Sequence, residues 1–268
     1  ALFGMGYNIY AVFLLISTAG IPVGVAKHVS RYNTLGPEET SYYLLRKILK
    51  LTSGLGFIFA AIMYLGAPIQ AAWSGGGDDL IRVMKSLSWA VLLFPSMSVL
   101  RGFFQGFNNL KPYAMSQIAE QVIRVIWMLL TAFMIMKIGS GDYVSAVIQS
   151  TFAAFIGMIA SVMVLIFFLW KEGKLQAILS KDTEEIDIDA NAIIIETVKE
   201  AIPFIITGAA IQLFQLVDQW SFINSMKLFT SHSLKELQIL YAYLSSNPNK
   251  VTMILISLAT AIGGAGIP

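Results

Sequence analysis

Four polar side chains are spaced along a segment that is otherwise apolar. They are Gln117, Glu120, Gln121 and Arg124. Their spacing of i, i+3, i+4 and i+7 places all four on one face of a helix, and a Glu four residues before an Arg is the favoured order for an ion pair. A carboxylate, a guanidinium and two amides can bind a polar group in a wet cavity, or they can hold neighbouring helices together.

The composition defines the environment of this stripe. Of the 268 residues, 56% are hydrophobic and only 13% are charged, whereas a soluble domain has about 25% charged residues. The mean hydropathy is +0.71. The apolar residues occur in blocks of about 20, the length that a helix needs to cross a bilayer. The sequence therefore predicts an all-α, polytopic integral membrane protein.

Other classes of function are not indicated. The net charge of +2 gives no nucleic-acid signature, and the chain has no Cys. No CxxC, HExxH, P-loop or nucleophile-elbow motif is present. The two histidines, His28 and His232, are far apart, and we interpret them as loop residues, not metal ligands. We expect no cofactor, no metal and no nucleic-acid partner.

Seven membrane spans are predicted from the apolar blocks. They cover residues 3–26, 48–67, 87–107, 112–138, 144–170, 201–226 and 251–268. A charge at the centre of a bilayer costs at least about 2.5 to 3.5 kcal/mol. The fourth span must therefore turn Glu120 and Arg124 toward a bundle interior or a water-filled cavity.

The distribution of Lys and Arg predicts the orientation. Eleven of these residues lie on the side of the loop after the first span, and six lie on the other side. By the positive-inside rule the first of these sides is cytoplasmic. The first span then starts outside the cell, so we expect the chain to be part of a longer protein with at least one span upstream and more downstream.

Two cytoplasmic segments have an amphipathic pattern, at residues 41–50 and 189–204. Each either lies in the headgroup layer or extends the span that follows it. A weak internal repeat relates "FLLISTAGIPVGVAK" in the first span to "MILISLATAIGGAGIP" in the seventh. Transporters are often built from repeated bundles with the substrate site at their interface.

Residues 101–121, "RGFFQGFNNLKPYAMSQIAEQ", resemble the signature RGxxQGxxNxxPxAxSQxxEQ of the SpoVB/YtgP-like polysaccharide exporters. With the MurJ-type lipid II flippases, these belong to the MOP superfamily. Residues 17–33 and 201–224 are also similar to this family. The resemblance implies about fourteen spans in two pseudo-symmetric lobes. This chain would then supply an N-terminal lobe (1–180), a cytoplasmic interlobe linker (181–200) and the first two helices of a second lobe (201–268).

The resemblance further implies a function. Such a protein would flip an undecaprenyl-pyrophosphate-linked sugar across the bacterial cytoplasmic membrane by alternating access, without making or breaking a bond. Its partners would be membrane lipid, the lipid-linked sugar and a coupling ion, H+ or Na+. Arg and Lys pair with phosphate, and amides bind sugar hydroxyls. The candidate substrate-binding residues are Arg101, Gln105, Gln117, Glu120, Gln121, Arg124, Gln215, Asp218 and Lys250.

These candidates have different roles. Arg101, Arg124 and Lys250 would make the pathway electropositive, and Lys250 occupies the place of a cavity arginine in the MurJ-type flippases. Glu120 and Asp218 would balance that charge. Two alternatives remain open. In a cation-coupled drug or metabolite antiporter, Glu120 and Asp218 would bind the ion or proton. A membrane enzyme would need a carboxylate or histidine cluster on a loop, and the loops offer none.

Overall fold

The structure, a computed structural model, describes residues 2–18, 21–35, 38–179 and 190–246, together with residues 248 and 252. These ranges are helical and contain no strand. The helices are α1 (Leu2–Thr18), α2 (Ile21–Leu35), α3 (Glu38–Trp73), α4 (Gly77–Gly106), α5 (Leu110–Phe133), α6 (Tyr143–Lys171), α7 (Lys174–Leu179), α8 (Ala190–Phe229) and α9 (Leu234–Tyr241). Short π-helical segments follow α5 at Met134–Ile138 and α9 at Ala242–Ser246. The predicted all-α class is confirmed.

Five helical segments of the described ranges are long and apolar enough to cross a membrane. They are Leu2–Thr34, Glu38–Trp73, Gly77–Gly106, Leu110–Ile138 and Tyr143–Lys171. They match the first five predicted spans, and the sixth lies within α8. The amphipathic pattern at 41–50 belongs to α3, and 190–204 belongs to α8. Each pattern therefore continues without a break into the helix that contains the next predicted span.

The first predicted span is covered by α1 and α2, which are described up to Thr18 and from Ile21. Together, Leu2–Thr34 are long and apolar enough to cross a membrane. The hydroxyls of Ser17 and Thr18 both donate to the carbonyl oxygen of Leu14, at 3.0 Å and 2.6 Å.

Helix α4 lies at the centre of the bundle and α5 at its edge. α4 packs against α1, α2, α3 and α6, whereas α5 packs mainly against α6. The most apolar 18-residue stretch of the span is 67% buried in α4 but only 6% buried in the span that contains α5. α2 approaches α4 so closely that a Cβ at Gly102 would lie 2.4 Å from the carbonyl oxygen of Pro22. Small residues permit such contacts between membrane helices.

Part of the stretch between the sixth and seventh predicted spans is helical. Sequence reasoning left 227–250 as a loop, but α9 begins at Leu234 and returns along α8. Ser233 and Glu236 form a capping box that starts α9, and Leu237 and Tyr241 are buried on one side of it. The polar cap made this stretch look like a loop. Residues 253–268 and the linker residues 181–189 lie outside the described residues, and the division into lobes stays a prediction.

Candidate functional site

A cluster of hydrogen-bonded side chains joins three helices around Arg101, near the end of α4. The Arg101 Nε donates to the hydroxyl of Ser116 on α5 at 3.0 Å. One terminal nitrogen donates to the carboxylate of Glu120 at 2.8 Å and to the hydroxyl of Ser161 on α6 at 2.9 Å. All four residues are buried. We call this group the Arg101 cluster.

A tight turn between α4 and α5 makes the Arg101 cluster possible. α4 ends at Gly106, and α5 begins at Leu110 after Asn109. Asn108 adopts a φ of 54°, in the left-handed region that Asn tolerates better than most residues. Because the chain reverses within three residues, Arg101 faces the first turns of α5. The turn therefore presents Arg101 to Ser116 and Glu120.

The third side of the cluster depends on a glycine in α6. A Cβ at Gly157 would lie 2.7 Å from the backbone oxygen of Glu120 and 3.2 Å from the Cβ of Arg124. α6 therefore touches α5 at the level of these two charged residues. Ser161 follows Gly157 by one turn and reaches Arg101 from there.

Arg101 and Glu120 neutralise each other, and the Arg101 guanidinium has further hydrogen-bond partners. A buried pair is stable only when further hydrogen bonds compensate for the loss of water, and two serine hydroxyls provide them here. Helix spacing favoured Arg124, four residues away, as the partner of Glu120, with another buried polar group as the alternative. The structure pairs Glu120 with Arg101, because the guanidinium of α4 enters the space between α5 and α6.

Arg124 is half-buried and makes no ion pair with any described residue. It is the central residue of the apolar segment Leu110–Ile138. The buried hydroxyl of Tyr10 on α1 lies close enough to interact with it electrostatically, although no hydrogen bond of good geometry joins them. The described structure thus holds a guanidinium without a carboxylate partner at mid-depth in an apolar helix.

The other predicted residues of this region lie around the Arg101 cluster. Gln117 and Gln121 are exposed on α5, and the amide of Gln117 donates to the Tyr113 hydroxyl at 3.1 Å. The ring of Tyr113 also faces the Arg101 guanidinium, 5.8 Å from its centroid. Gln105 is half-buried on α4 and takes no part in the cluster within the described structure.

The predicted stripe on α8 faces a different space. Gln215 and Asp218 line a cavity of about 510 Å³ between α8 and α9. The other lining residues are Ser221, Phe222, Ser225, Tyr241, Leu244 and Ser245. No α5 residue is among those that line this cavity. Lys250 lies outside the described residues.

Sequence reasoning missed three contributors to the polar interior. Ser161 gave no signal, because a single serine in an apolar helix is common. Tyr10 looked like one more aromatic residue of a membrane span. Ser74 seemed part of a glycine-rich loop, yet it is fully buried. Among the described residues, no group of three or more His, Cys, Asp or Glu side chains could hold a metal ion.

The fold and the site define a polytopic helical membrane protein with charged and amide side chains inside its bundle. The comparison with protein families is more specific. A family model described as "Polysaccharide biosynthesis protein" matches residues 1–268. The chain belongs to this family. The predicted resemblance to the MOP superfamily exporters is thereby confirmed.

Three proteins of Bacillus subtilis (strain 168) are similar to this chain. "Lipid II flippase MurJ" is 37% identical over 277 residues, which is 100% of this chain and 51% of that protein. "Uncharacterized membrane protein YabM" is 30% identical over 166 residues, 62% of this chain and 30% of that protein. "Stage V sporulation protein B" is 32% identical over 127 residues, 46% of this chain and 24% of that protein.

The chain spans about half the length of the MurJ relative and less of the other two. No solved structure matches it significantly. With its five apolar helices and its bacterial relatives, the chain is a multi-pass protein of a bacterial cell membrane, as predicted.

Proposed function

We propose that the full-length protein flips a lipid-linked sugar, joined to its lipid by pyrophosphate, from the cytoplasmic to the outer leaflet by alternating access. A charged headgroup of this kind cannot cross hydrocarbon unaided. Membership of a polysaccharide biosynthesis family supports this function, as does the 37% identity to a protein named as a lipid II flippase. On this proposal the protein is a transporter and not an enzyme, because moving the lipid between leaflets makes and breaks no bond.

One observation carries the proposal, the free charge of Arg124. Arg101 and Glu120 neutralise each other, whereas Arg124 has no acidic partner among the described residues. A lone cation at the middle of a span is costly and typically marks a substrate or ion pathway. Its guanidinium can bind a phosphate through two parallel hydrogen bonds. We therefore assign the pyrophosphate to Arg124.

The neighbouring residues then take different roles. The exposed amides of Gln117 and Gln121 lie on the same face as Arg124 and suit the hydroxyl groups of a sugar. Arg101 and Glu120 are buried in mutual contact, so they position α5 and do not touch the cargo. Substrate binding by Gln105 and Lys250 stays a prediction.

Asp218 supports a separate role in ion coupling. It is exposed to a cavity that Gln215, Ser221 and Ser225 also line, and such oxygen atoms suit Na+ or a proton relay. We propose this cavity as the site of the coupling ion. It would serve a cation-coupled antiporter equally well. That alternative is weaker, because Glu120, its other expected ion site, is occupied by Arg101.

The test is conditional depletion of the full-length protein, followed by extraction and identification of lipid-linked sugars. We expect one undecaprenyl-pyrophosphate sugar to accumulate on the cytoplasmic side. Purified protein in vesicles should then flip that same lipid. Unchanged pools of lipid-linked sugar, together with export of small organic cations by the vesicles, would favour the antiporter.

A further inference from the structure

A second polar network lies at the end of the bundle formed by the turn between α3 and α4. At its centre is Gln219 of α8, which is fully buried. Its side-chain oxygen accepts a hydrogen bond from the amide of Asn8 on α1 at 3.1 Å. Its amide nitrogen donates to the hydroxyl of Ser74, in the α3–α4 turn, at 3.0 Å. We call these three residues the Gln219 clasp.

Contacts around the clasp join the same elements. The amide of Gln238 on α9 donates to the backbone oxygen of Gly75 at 3.0 Å. The amide of Asn224 on α8 donates to the backbone oxygen of Trp73, also at 3.0 Å. Gly75 has a φ of 62°, and a Cβ there would lie 2.6 Å from a side-chain carbon of Ile223. The α3–α4 turn thus fits closely against α8 and α9.

The clasp differs from the Arg101 cluster in what it connects. The Arg101 cluster joins α4, α5 and α6, which are neighbours in sequence. The clasp joins α1 and the α3–α4 turn to α8, across 211 residues from Asn8 and 145 residues from Ser74. It therefore lies between the five N-terminal spans and the helices that follow the linker. This is the boundary at which two lobes would have to separate.

The chemistry of the clasp suits a contact that opens and closes. Its groups are neutral amides and a hydroxyl, and each can exchange its protein partner for water at a small net change in free energy. A buried ion pair such as that of Arg101 and Glu120 would leave a bare charge when broken. The burial of Gln219 means that water enters only when the helices part.

We propose that Gln219 is the residue that closes this end of the lobe interface, and that its bonds to Asn8 and Ser74 break in each transport cycle. The positive-inside rule places the α3–α4 turn on the outer side, so the clasp would open to release cargo to the outer leaflet. This inference rests on the proposed flippase function. A ligand that moves a protein between two states must favour one of them, and the clasp stabilises the outward-closed state.

The first experiment joins the two sides of the clasp in the full-length protein. The chain has no native Cys, so Asn8→Cys and Gln219→Cys supply the reactive thiols of this region. A short, reducible bifunctional thiol reagent should link them. We expect flipping of the lipid-linked sugar in vesicles to fall at least tenfold on linking and to return on reduction. Transport at the unlinked rate by the linked protein would overturn the proposal.

A matched control links two helices on one side of the clasp. Ser53 on α3 and Ser96 on α4 have their hydroxyl oxygens 2.9 Å apart. The Ser53→Cys/Ser96→Cys pair should form a cross-link as readily, and its transport should be unchanged. Loss of transport in both linked pairs would show that any cross-link is harmful and would count against a special role for the clasp.

The second experiment needs no cargo, so its result does not depend on the proposed function. A Ser74→Cys variant places a thiol where the Ser74 hydroxyl contacts Gln219. The rate at which an impermeant thiol reagent, added from outside, labels this thiol reports how often the clasp opens. We expect Gln219→Leu to raise the labelling rate at this position at least fivefold. Labelling of an exposed Ser140→Cys control should not change. If the Ser74→Cys thiol is labelled at the same rate with and without Gln219→Leu, Gln219 does not close this end of the interface. That conclusion would hold even if flipping is confirmed.

Discussion

Arg101 and Arg124 both place a guanidinium inside the apolar bundle, and their surroundings give them opposite roles. Arg101 has a carboxylate and two hydroxyls as partners. Arg124 has no acidic partner among the described residues and lies beside the buried Tyr10 hydroxyl. The charge of Arg101 is neutralised within the fold, whereas the charge of Arg124 is available to bind a ligand. Two predictions follow this distinction.

The first concerns Arg124. In the full-length protein, Arg124→Ala should abolish complementation of a depleted strain while membrane insertion and expression stay normal. Arg124→Lys should rescue only partly, because lysine keeps the charge but loses the planar fork that holds phosphate. Growth assays with immunoblots of membranes measure this. Normal growth with Arg124→Ala would make the residue a packing element and move the search for the site to Lys250 and α8.

The second concerns Arg101 and Glu120. Removing one partner of a buried pair leaves an uncompensated charge and costs about 3 to 5 kcal/mol. Arg101→Met and Glu120→Gln should therefore lower the thermal unfolding temperature in detergent, and Arg101→Met/Glu120→Met should lower it less than Arg101→Met alone. Ser53→Ala is the control, because Ser53 bonds only to Ser96 among the described side chains. Single variants as stable as the wild type would contradict a structural role.

At the scale of elements, side-chain hydrogen bonds cap the starts of α6 and α9. Asp142 caps α6, and its carboxylate accepts from the N–H groups of Val144 and Ser145. The Ser145 hydroxyl, followed by the Val144 N–H, lowers the pKa of the Asp142 carboxyl below its ordinary value. A carboxyl with a depressed folded-state pKa stabilises the fold above its unfolded pKa, and this contribution is lost as pH falls through the folded pKa.

Hydrogen exchange can test this cap. We expect the protection of the first-turn amides of α6, corrected for intrinsic exchange, to fall as the pH drops below the unfolded pKa of Asp142 and on through its lower folded pKa. Asp142→Asn keeps a capping oxygen but has no titrating group, so its protection should be independent of pH over this range. The same pH dependence in both proteins would assign the effect to another group.

At the scale of the whole molecule, the orientation in the membrane can be measured with single-cysteine reporters. The positive-inside rule places the α3–α4 and α5–α6 turns outside and the α2–α3 and α4–α5 turns inside. A cysteine reporter must stand at an exposed position that tolerates a side chain, and two glycines in the outer turns do not meet this condition. Gly76 is buried, and a Cβ there would lie 2.3 Å from Leu80. Gly141 has a φ of 69°, which strains any larger residue.

Asp78 and Ser140 are exposed alternatives for the outer side, and Asn33 and Lys111 serve for the inner side. An impermeant thiol reagent applied to intact cells should label Asp78→Cys and Ser140→Cys, and should leave Asn33→Cys and Lys111→Cys unlabelled until the cells are opened. Additional positions at Asn247 and Lys181 lie outside the described residues. The reverse pattern would invert the orientation and place the Gln219 clasp on the cytoplasmic side.

The sequence by itself determined the class of protein, five of the spans and the polar stripe of α5. Each of these follows from local order along the chain. An apolar run of sufficient length must be helical in a bilayer, and charged residues within it must avoid lipid. The family followed from "RGFFQGFNNLKPYAMSQIAEQ", which is also a continuous stretch.

Only the tertiary structure decided which charges meet. Helix spacing favoured Arg124 as the partner of Glu120, but the turn at Asn108 and the close approach at Gly157 bring Arg101 there instead. Likewise, no periodicity links Asn8 to Gln219, which meet across 211 residues. Such contacts depend on how each helix is rotated about its axis and how closely its neighbours approach. That information arises only when several helices pack together, so a pattern within one helix cannot contain it.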